Sequence, residues 1–573
     1  MKTILRLLCG WMAIALAACT NHDFEQVEAL QKPVVQKTIS VKAYTPGEQA
    51  ATRLDFEEGT EGLKLSWTAD DAFTAVIGEE KVAFTYDADS KEFTATLPEG
   101  VTLTDGIKAY YPAYDDEYTK DLSQQTGALN GATTYMEGKY SNGAFRFTHS
   151  TAILKATFSG LPDGAKISSI CIVGEGVNIA ISNETISREA VYINLPAIVK
   201  DTKLKFTVTT TDSEAYTSTK TVTPEEGIRV GVFYNSTVAL AKACLLPMGN
   251  KIYYALSEFS SSHSSLTKIK FIANSDNTNK DNPIDTSNAY MVAGNDNTLE
   301  IHTADAEFVF NEFSNYMFPY LNKITAIDFG DDINTSNVKT MQYMFSNCAN
   351  LESINFGSNF NTENVTDMYR MFEECSKLTS LDLSGFNTSN VADMQYMFYE
   401  CKALTSLDLS NFNTSKVTDM ELMFYECKAL ISLDLSSFNT SNVTDMGAMF
   451  QLCSSLTSLN LSNFNTANVT YMGNMFNSCS NLESITFGNN FNTSKVTDMS
   501  YMFYECSSLT SLDLSNFVFS ENTDCDYMFS NLGKNAASKP IPVYVKDEAT
   551  KTSLEGKGTN INNTNAEIKV KNN

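Results

Sequence analysis

The stretch FNTSNVADMQYMFYECKALTSLDLS, from Phe386 to Ser410, recurs with small changes along the second half of the chain. One cysteine in each copy marks the period, and the first six intervals between these cysteines are 27, 26, 26, 26, 26 and 27 residues. A fixed period of this length predicts a solenoid, in which each repeat buries its apolar face by stacking on its neighbours. The eight repeat cysteines are Cys348, Cys375, Cys401, Cys427, Cys453, Cys479, Cys506 and Cys525.

Within one repeat, six apolar residues follow a helical spacing. At about 100° per residue they share one face, which predicts an amphipathic helix directed at the core. The polar run from Asn387 to Ser389 before it offers N-cap acceptors. Leu407, Asp408 and Leu409 then alternate inward, outward and inward, as in a short strand of a parallel sheet. The residues of the predicted helical face are Val391, Met394, Met397, Phe398, Cys401 and Leu404.

The unit N-T-S-N-V-T-D-M-x-x-M-F-x-x-C-x-x-L-x-S-L-D-L-S closely resembles the BspA-type leucine-rich repeats of bacterial surface antigens. The resemblance implies an α/β leucine-rich-repeat solenoid over residues 313–533, in a surface protein without catalytic activity that adheres to host matrix, other bacteria or cells. We expect residues 242–312 to form a linker and an N-terminal cap. Residues 534–573 are expected to form a C-terminal cap, with a closing strand, helix and strand over 543–571.

The first half of the chain has the pattern of β-structure. In the segment 82–97, Val82, Phe84 and Tyr86 alternate with polar residues before a turn, which predicts a hairpin. Similar runs predict two β-sandwich domains, 38–140 and 141–241. The stretch GLKLSWTADDAF, residues 62–73, resembles the fimbrillin-like lipoproteins, whose polymerising members exchange a donor strand after proteolysis. Arg53 is either such a cleavage site or a surface residue in a loop.

The N-terminus resembles an export signal. Lys2 and Arg6 precede an apolar run that is too short to span a bilayer. The run ends in Leu-Ala-Ala-Cys, which resembles the lipobox of bacterial lipoproteins and makes Cys19 the acylated first residue of the mature chain. The alternative is an ordinary signal peptide with a cysteine near its cleavage site. We therefore expect a signal peptide over 1–18, a lipidated tether over 19–37, and a lipid-anchored protein of the bacterial outer membrane, on the cell surface.

The charge balance and the cysteine spacing exclude several classes. With 41 basic and 68 acidic residues the net charge is −27, which argues against nucleic acid as a partner. A zinc array needs further ligands two to four residues away, and the repeat cysteines have none. Disulfides between adjacent repeats remain conceivable; the other alternative is a buried small residue, which Leu321 in the same register favours. Cys171 and Cys244 stay unassigned.

A polar residue stands between the strand leucines of each repeat, and in three successive copies it is aspartate. Stacked carboxylates repel one another unless they are solvated or neutralised. We therefore hypothesise that Asp382, Asp408 and Asp434 bind a basic protein segment or calcium. The alternative is a solvated stripe in which each aspartate is hydrogen-bonded to Ser384, Ser410 or Ser436. The asparagine of each FNT triplet is expected to form a ladder that satisfies backbone groups between repeats.

No catalytic pattern is present, because the four histidines lack a ligand spacing and there is no phosphate-binding loop. We expect no enzyme activity, no cofactor and no resident metal. The sequence favours a surface lipoprotein that adheres or binds proteins through the solenoid. Its partner would be a host matrix or cell-surface protein or another bacterial surface component, with membrane contact through the lipid only. The alternatives are a fimbrial accessory or tip subunit and a glycan-capture lipoprotein.

Overall fold

The structure is a computed structural model that describes residues 37–44, 57–59, 62–64, 72–78, 80–87, 89–90, 92–98, 102–111, 124–125, 136–141, 144–149, 151–186, 191–223, 227–229, 233–277, 280–285, 287–538, 540–557 and 565–571. The predictions on the signal peptide, Cys19 and Arg53 lie outside these residues. The residues that the structure describes divide into two compact units: those within the ranges 1–53, 67–116 and 137–147 form the first, and the other described residues form the second.

The first unit is a closed β-barrel rather than the predicted sandwich, with the strand order β1-β10-β9-β7-β4-β5-β6. The strands before residue 150 are β1 (Lys37–Tyr44), β2 (Glu57–Gly59), β3 (Gly62–Lys64), β4 (Ala72–Ile77), β5 (Glu80–Asp87), β6 (Glu92–Leu97), β7 (Lys108–Tyr111), β8 (Gln124–Gln125), β9 (Met136–Ser141) and β10 (Ala144–His149). The barrel closes because β1 pairs with β6 on one side and with β10 on the other.

The predicted hairpin in the barrel is confirmed, since β5 and β6 are antiparallel with Tyr86 opposite Phe93. Buried and exposed residues alternate along β5, as the sequence pattern indicates. The rings of Phe73 and Phe84 stack at 5.0 Å in the core. The boundary predicted at residue 140 is displaced: it falls inside β9, and β10 belongs to the same barrel, because the two strands share the sheet that buries Phe145.

The second unit begins with two sheets that share one hydrophobic core. Its strands up to residue 245 are β11 (Ala152–Ser159), β12 (Ile167–Gly174), β13 (Val177–Ile186), β14 (Val191–Leu195), β15 (Lys203–Thr210), β16 (Ala215–Thr221), β17 (Phe233–Ala239) and β18 (Ala241–Leu245). One sheet has the order β14-β11-β17, and the other contains β18-β16-β15-β12-β13-β8.

Residues 242–312, expected to form a linker and an N-terminal cap, contain regular secondary structure. They contain helix α1 (Gly249–Ser262) and strands β19 (Lys268–Ile272), β20 (Tyr290–Ala293), β21 (Thr298–His302) and β22 (Phe308–Val309). Strand β22 pairs with β18 and then with β24 (Ile333–Asn334), which follows β23 (Ala326–Asp328), so the large sheet continues into the repeats. A partly buried ion pair of 2.6 Å between Lys205 and Glu307 spans the same junction. The sheet and the repeats are therefore joined directly.

Residues 313–533 form a stack of coils, which we call the repeat stack. Five of its coils carry an assigned strand; besides β23 these are β25 (Ser353–Asn355), β26 (Ser458–Leu461), β27 (Ser484–Phe487) and β28 (Leu512–Asp513). Parallel bridges join equivalent residues of successive coils, for example Asp393 to Asp419 and Asp419 to Asp445. The order of strand, helix and strand expected at the C-terminus is present as β29 (Ile541–Val545), α2 (Glu548–Glu555) and β30 (Ala566–Val570).

The predicted helix in each repeat is wrong, although its buried face is right. All six residues of that face in the 391–404 coil are fully buried. The backbone there forms turns, and the N–H groups of Tyr396 and Phe398 donate to the carbonyls of Glu421 and Met423 in the next coil. Tyr396 and Glu400 have φ angles of 56° and 55°, which interrupt a right-handed helix. These backbone hydrogen bonds join coils, and they alternate with three-residue turns within the coil, such as the bond from the N–H of Met397 to the carbonyl of Met394.

The ladder expected from the FNT asparagines is made by the threonines that follow them. Thr388 Oγ1 donates to the carbonyl of Asn413 at 3.0 Å and accepts its N–H at 2.8 Å. Asn387 Oδ1 instead accepts the N–H of Ser389, a turn within its own coil. The hydroxyl both donates and accepts, so one side chain can serve both backbone groups of the next coil. The threonines of this row are Thr335, Thr362, Thr388, Thr414, Thr440, Thr466 and Thr493.

The repeat cysteines are free and buried. From Cys348 to Cys506 each thiol lies 2.9–3.2 Å from a phenylalanine carbonyl oxygen of the preceding coil. Burial raises the pKa of Cys401 to about 12, so the thiol stays protonated and can donate. Of the two alternatives, disulfides or a buried small residue, the structure has the second. Each of these cysteines also donates a hydrogen bond to the preceding coil.

Candidate binding faces of the repeat stack

The structure brings the predicted aspartates into one exposed acidic row, formed by Asp382, Asp408 and Asp434. The Oδ1 atom of each accepts the N–H of the serine two residues later, at 2.9–3.0 Å. For Asp408 and Asp434 that backbone bond is the main cause of a lowered pKa, whereas for Asp382 it is the Ser384 hydroxyl. The hydrogen bonds to the serines that a solvated stripe would make are thus present. Binding of a basic protein segment or calcium by these aspartates stays a prediction.

A second row of aspartates, which the sequence reasoning missed, lies half-buried on another side of the coils. Asp393, Asp419 and Asp445 each accept the N–H two residues later at 2.8–2.9 Å. Burial raises the pKa of all three, and that of Asp419 reaches about 6. Asp393 and Asp445 contribute to the shift of Asp419 because like charges oppose its ionisation. We call these three residues the half-buried acidic row.

The two acidic rows predict opposite effects of charge removal. The pKa of Asp419 is higher in the folded chain than its usual value near 3.9. The folded protein therefore loses stability as Asp419 ionises between about pH 4 and 6. We expect Asp419→Asn to raise the free energy of unfolding at pH 7.5 and to have little effect near pH 4, as measured by urea denaturation. Asp408→Asn is the matched control, and because the pKa of Asp408 is lowered it should destabilise at pH 7.5. Equal effects of Asp419→Asn at both pH values would contradict this account.

Tyrosines of successive coils form a continuous row beside the half-buried acids, which we call the tyrosine face. The rings of Tyr399 and Tyr425 are stacked at 4.7 Å, and Tyr316 and Tyr343 at 4.5 Å. All six rings are partly exposed. Neighbours along this row are up to 27 positions apart in the sequence. The only sequence feature that indicates the row is the recurrence of tyrosine at two positions of the repeat. The tyrosine face consists of Tyr316, Tyr343, Tyr369, Tyr396, Tyr399 and Tyr425.

Arg370 lies within the tyrosine face. Its guanidinium carbon is 4.0 Å from the ring centre of Tyr396 and 5.1 Å from that of Tyr369, distances typical of cation–π contacts. Its guanidinium also pairs with Glu373, which accepts the hydroxyl of Ser346 at 2.7 Å. These contacts fix a planar cation among aromatic rings, so the face combines rigid aromatic and charged groups.

One grouping outside the repeats has the composition of a catalytic triad. His302 Nδ1 is 2.8 Å from Ser275 Oγ, and His302 Nε2 is 3.0 Å from Glu300 Oε2. The hydroxyl of Ser275 also accepts the N–H of Asn277 at 3.2 Å, and the His302 ring is buried against Tyr290. Each polar group is engaged in joining β21 to the neighbouring loop, a role that needs no substrate.

Two further properties concern metals and membranes. Within the described ranges, no three His, Cys, Asp or Glu side chains are grouped so that they could hold a metal ion. Across the same part of the chain, no helix has the length and apolar character needed to cross a bilayer.

The repeats match a family model described as a Mycoplasma protein of unknown function, DUF285, over residues 312–433 and 429–540. No curated protein matches the chain. Among solved structures, a candidate cell adhesion protein from Bacteroides ovatus is 15% identical, covering 36% of this chain and 96% of its own with a TM-score of 0.23. One from Bacteroides uniformis is 17% identical, covering 36% and 98% with a TM-score of 0.21.

A leucine-rich repeat protein from Bacteroides thetaiotaomicron is 10% identical, covering 89% of this chain and 79% of its own with a TM-score of 0.18. At scores this low, function has to be argued from the residues of the chain itself.

Proposed function

We propose that this chain is a cell-surface lipoprotein that mediates adhesion or protein–protein interaction through the repeat stack, without catalysis. The observation that carries the proposal is the tyrosine face. Tyrosine and arginine are, with tryptophan, the residues most enriched at the energetic centres of protein interfaces. Tyrosine offers a large contact area at low entropic cost. Here they are held in fixed positions by the core beneath them, so binding would require little ordering.

The finer parts of the proposal are a BspA-type leucine-rich-repeat solenoid as the binding part and a fimbrillin-like N-terminal half as the stalk. Acylation of Cys19 would tether the chain to the outer membrane, with the repeats directed outward. Support comes from the lipobox-like end of the apolar run and from the pairing of β18 with β22 and of β22 with β24, which joins the large sheet to the repeats. The partner would be a host matrix or cell-surface protein or another bacterial surface component.

The tyrosine face is tested by binding of the full chain to immobilised extracellular-matrix proteins and to intact bacterial and host cells. We expect the double variant Tyr399→Ser/Tyr425→Ser to weaken binding at least tenfold, because it removes one of the stacked ring pairs of the tyrosine face. Tyr254→Ser is the matched control: Tyr254 is 67% exposed, lies on α1 and is not one of the six residues of the tyrosine face. Unchanged binding by the double variant would exclude the face as the contact surface.

Localisation is tested separately, by protease treatment of intact cells that express the full chain. Surface exposure predicts loss of the repeat stack from intact cells, and Cys19→Ala should release the chain from the membrane. Protection of the repeats until the outer membrane is opened would contradict the surface proposal.

A further inference from the structure

A cleft of about 640 Å³ lies between the sheet of the second unit and the outer turns of the first coils. Both walls belong to the same compact unit. The Cys171 thiol donates to the carbonyl of Ser336 at 3.4 Å, and the hydroxyls of Thr207 and Ser336 are 3.2 Å apart, so buried contacts fix one wall to the other. The cleft is therefore preformed, and its volume falls in the range of small-molecule sites, about 300–1,000 Å³.

The lining of this cleft is neutral, although the chain carries a net charge of −27. Its charged residues are Glu312 and Lys339, which pair with each other at 2.6 Å. The third ionisable group, the thiol of Cys171, stays protonated because burial raises its pKa to about 12. An ionic ligand would find no unpaired counter-charge among the lining residues, and an anion would also be repelled by the chain as a whole.

Hydroxyl and carboxamide groups supply the polarity of the cleft. The side chains of Ser169, Ser182 and Asn337 line it and make no hydrogen bond to the described residues, so their donors and acceptors are available to a ligand. Apolar lining is provided by Ala180 and Leu245, which are partly exposed. A sugar has the same combination, since its hydroxyls both donate and accept while its C–H groups are apolar.

We propose that this cleft binds a neutral saccharide, in contact with Ser169, Ser182 and Asn337. The site is separate from the tyrosine face and goes beyond the adhesive role proposed for that face. A ligand there would contact both the large sheet and the first coils of the repeat stack.

The test is saturation-transfer NMR on the full chain with the methyl glycosides of glucose, galactose, mannose and N-acetylglucosamine, and with neutral disaccharides of these sugars. We expect transfer to at least one sugar, and an affinity at least tenfold weaker in the triple variant Ser169→Ala/Ser182→Ala/Asn337→Leu. Asn442→Leu is the matched control, because it changes the same register of a coil that does not line the cleft. It should bind as the unmodified chain does.

Three results would overturn the proposal: no transfer to any sugar of the panel, equal binding by the folded triple variant, or binding only of a blocked neutral peptide rich in serine and asparagine. Circular dichroism checks that the triple variant is folded. If it is not, the single change Asn337→Leu takes its place, with a smaller loss of affinity expected. Because the tyrosine variants leave the cleft intact, failure here is distinguishable from failure of the adhesive role.

Discussion

Phe424→Ala is expected to lower the free energy of unfolding of the second unit by about 3–5 kcal/mol, the usual cost of removing a fully buried phenylalanine. The ring of Phe424 stacks between Phe398 at 5.6 Å and Phe450 at 5.7 Å, nearly parallel to both. The N–H of Phe424 donates to the carbonyl of Met449 at 2.9 Å, and equivalent bonds hold every coil at a fixed spacing. The coils therefore cannot close over the cavity, and most of its cost should remain.

Denaturant unfolding monitored by circular dichroism measures this change. Phe424→Leu keeps more of the volume and should cost less, roughly 1–1.5 kcal/mol. Val518→Ala removes a side chain that is 47% exposed and serves as a control for a poorly buried position. A loss below about 1 kcal/mol for Phe424→Ala would mean that the coils do relax, and that the phenylalanine row is not the rigid centre of the repeats. Each coil contacts only its neighbours, so a weakened coil can uncouple the parts of the repeat stack on its two sides. We therefore also expect the variant Phe424→Ala to unfold in two steps.

The burial pattern of the repeats could be predicted from the sequence because it depends only on the period. Every repeat places the same residue types in the same positions, so the inward stripe from Val391 to Leu404 follows from alignment of the copies. The helix prediction failed because the same spacing of apolar residues also suits a chain of turns. What separates the two is where the N–H of Tyr396 bonds, and its acceptor is Glu421, 25 residues away. Local propensity carries no information about that partner.

The binding faces were predictable only in part, for a similar reason. The exposed acidic row follows from the alternation around Asp408, which needs only local sequence. The tyrosine face depends on contacts between coils, which become visible only when the copies are stacked. Outside that face, one pair of changes does indicate a contact between coils: Tyr471 replaces the aspartate of its register, and Gly447 stands where a Cβ would overlap the ring of Tyr471. A large side chain in one coil is thus matched by a glycine in the coil before it.

Thr414→Val is expected to lower the free energy of unfolding by about 2–4 kcal/mol, although valine has nearly the same shape. Thr414 is fully buried; its hydroxyl donates to the carbonyl of Asn439 at 2.9 Å and accepts the N–H of the same residue at 2.8 Å. Valine leaves both backbone groups of Asn439 without these bonds, and each unsatisfied group costs about 1–3 kcal/mol when it is buried. The loss therefore comes from the next coil rather than from the altered one.

Amide hydrogen exchange distinguishes this mechanism from a packing defect. The N–H of Asn439 should exchange much faster in Thr414→Val, while the amides of the altered coil stay protected. Thr414→Ser retains the hydroxyl and should keep Asn439 protected, with a loss of about 1 kcal/mol for the missing methyl group. Thr418→Val is the exposed control, since its hydroxyl makes only a 3.5 Å contact to the carbonyl of Ala392. If serine and valine at position 414 destabilised equally, the methyl group and not the hydroxyl would be the stabilising part, and the threonine row would lose its role in joining the coils.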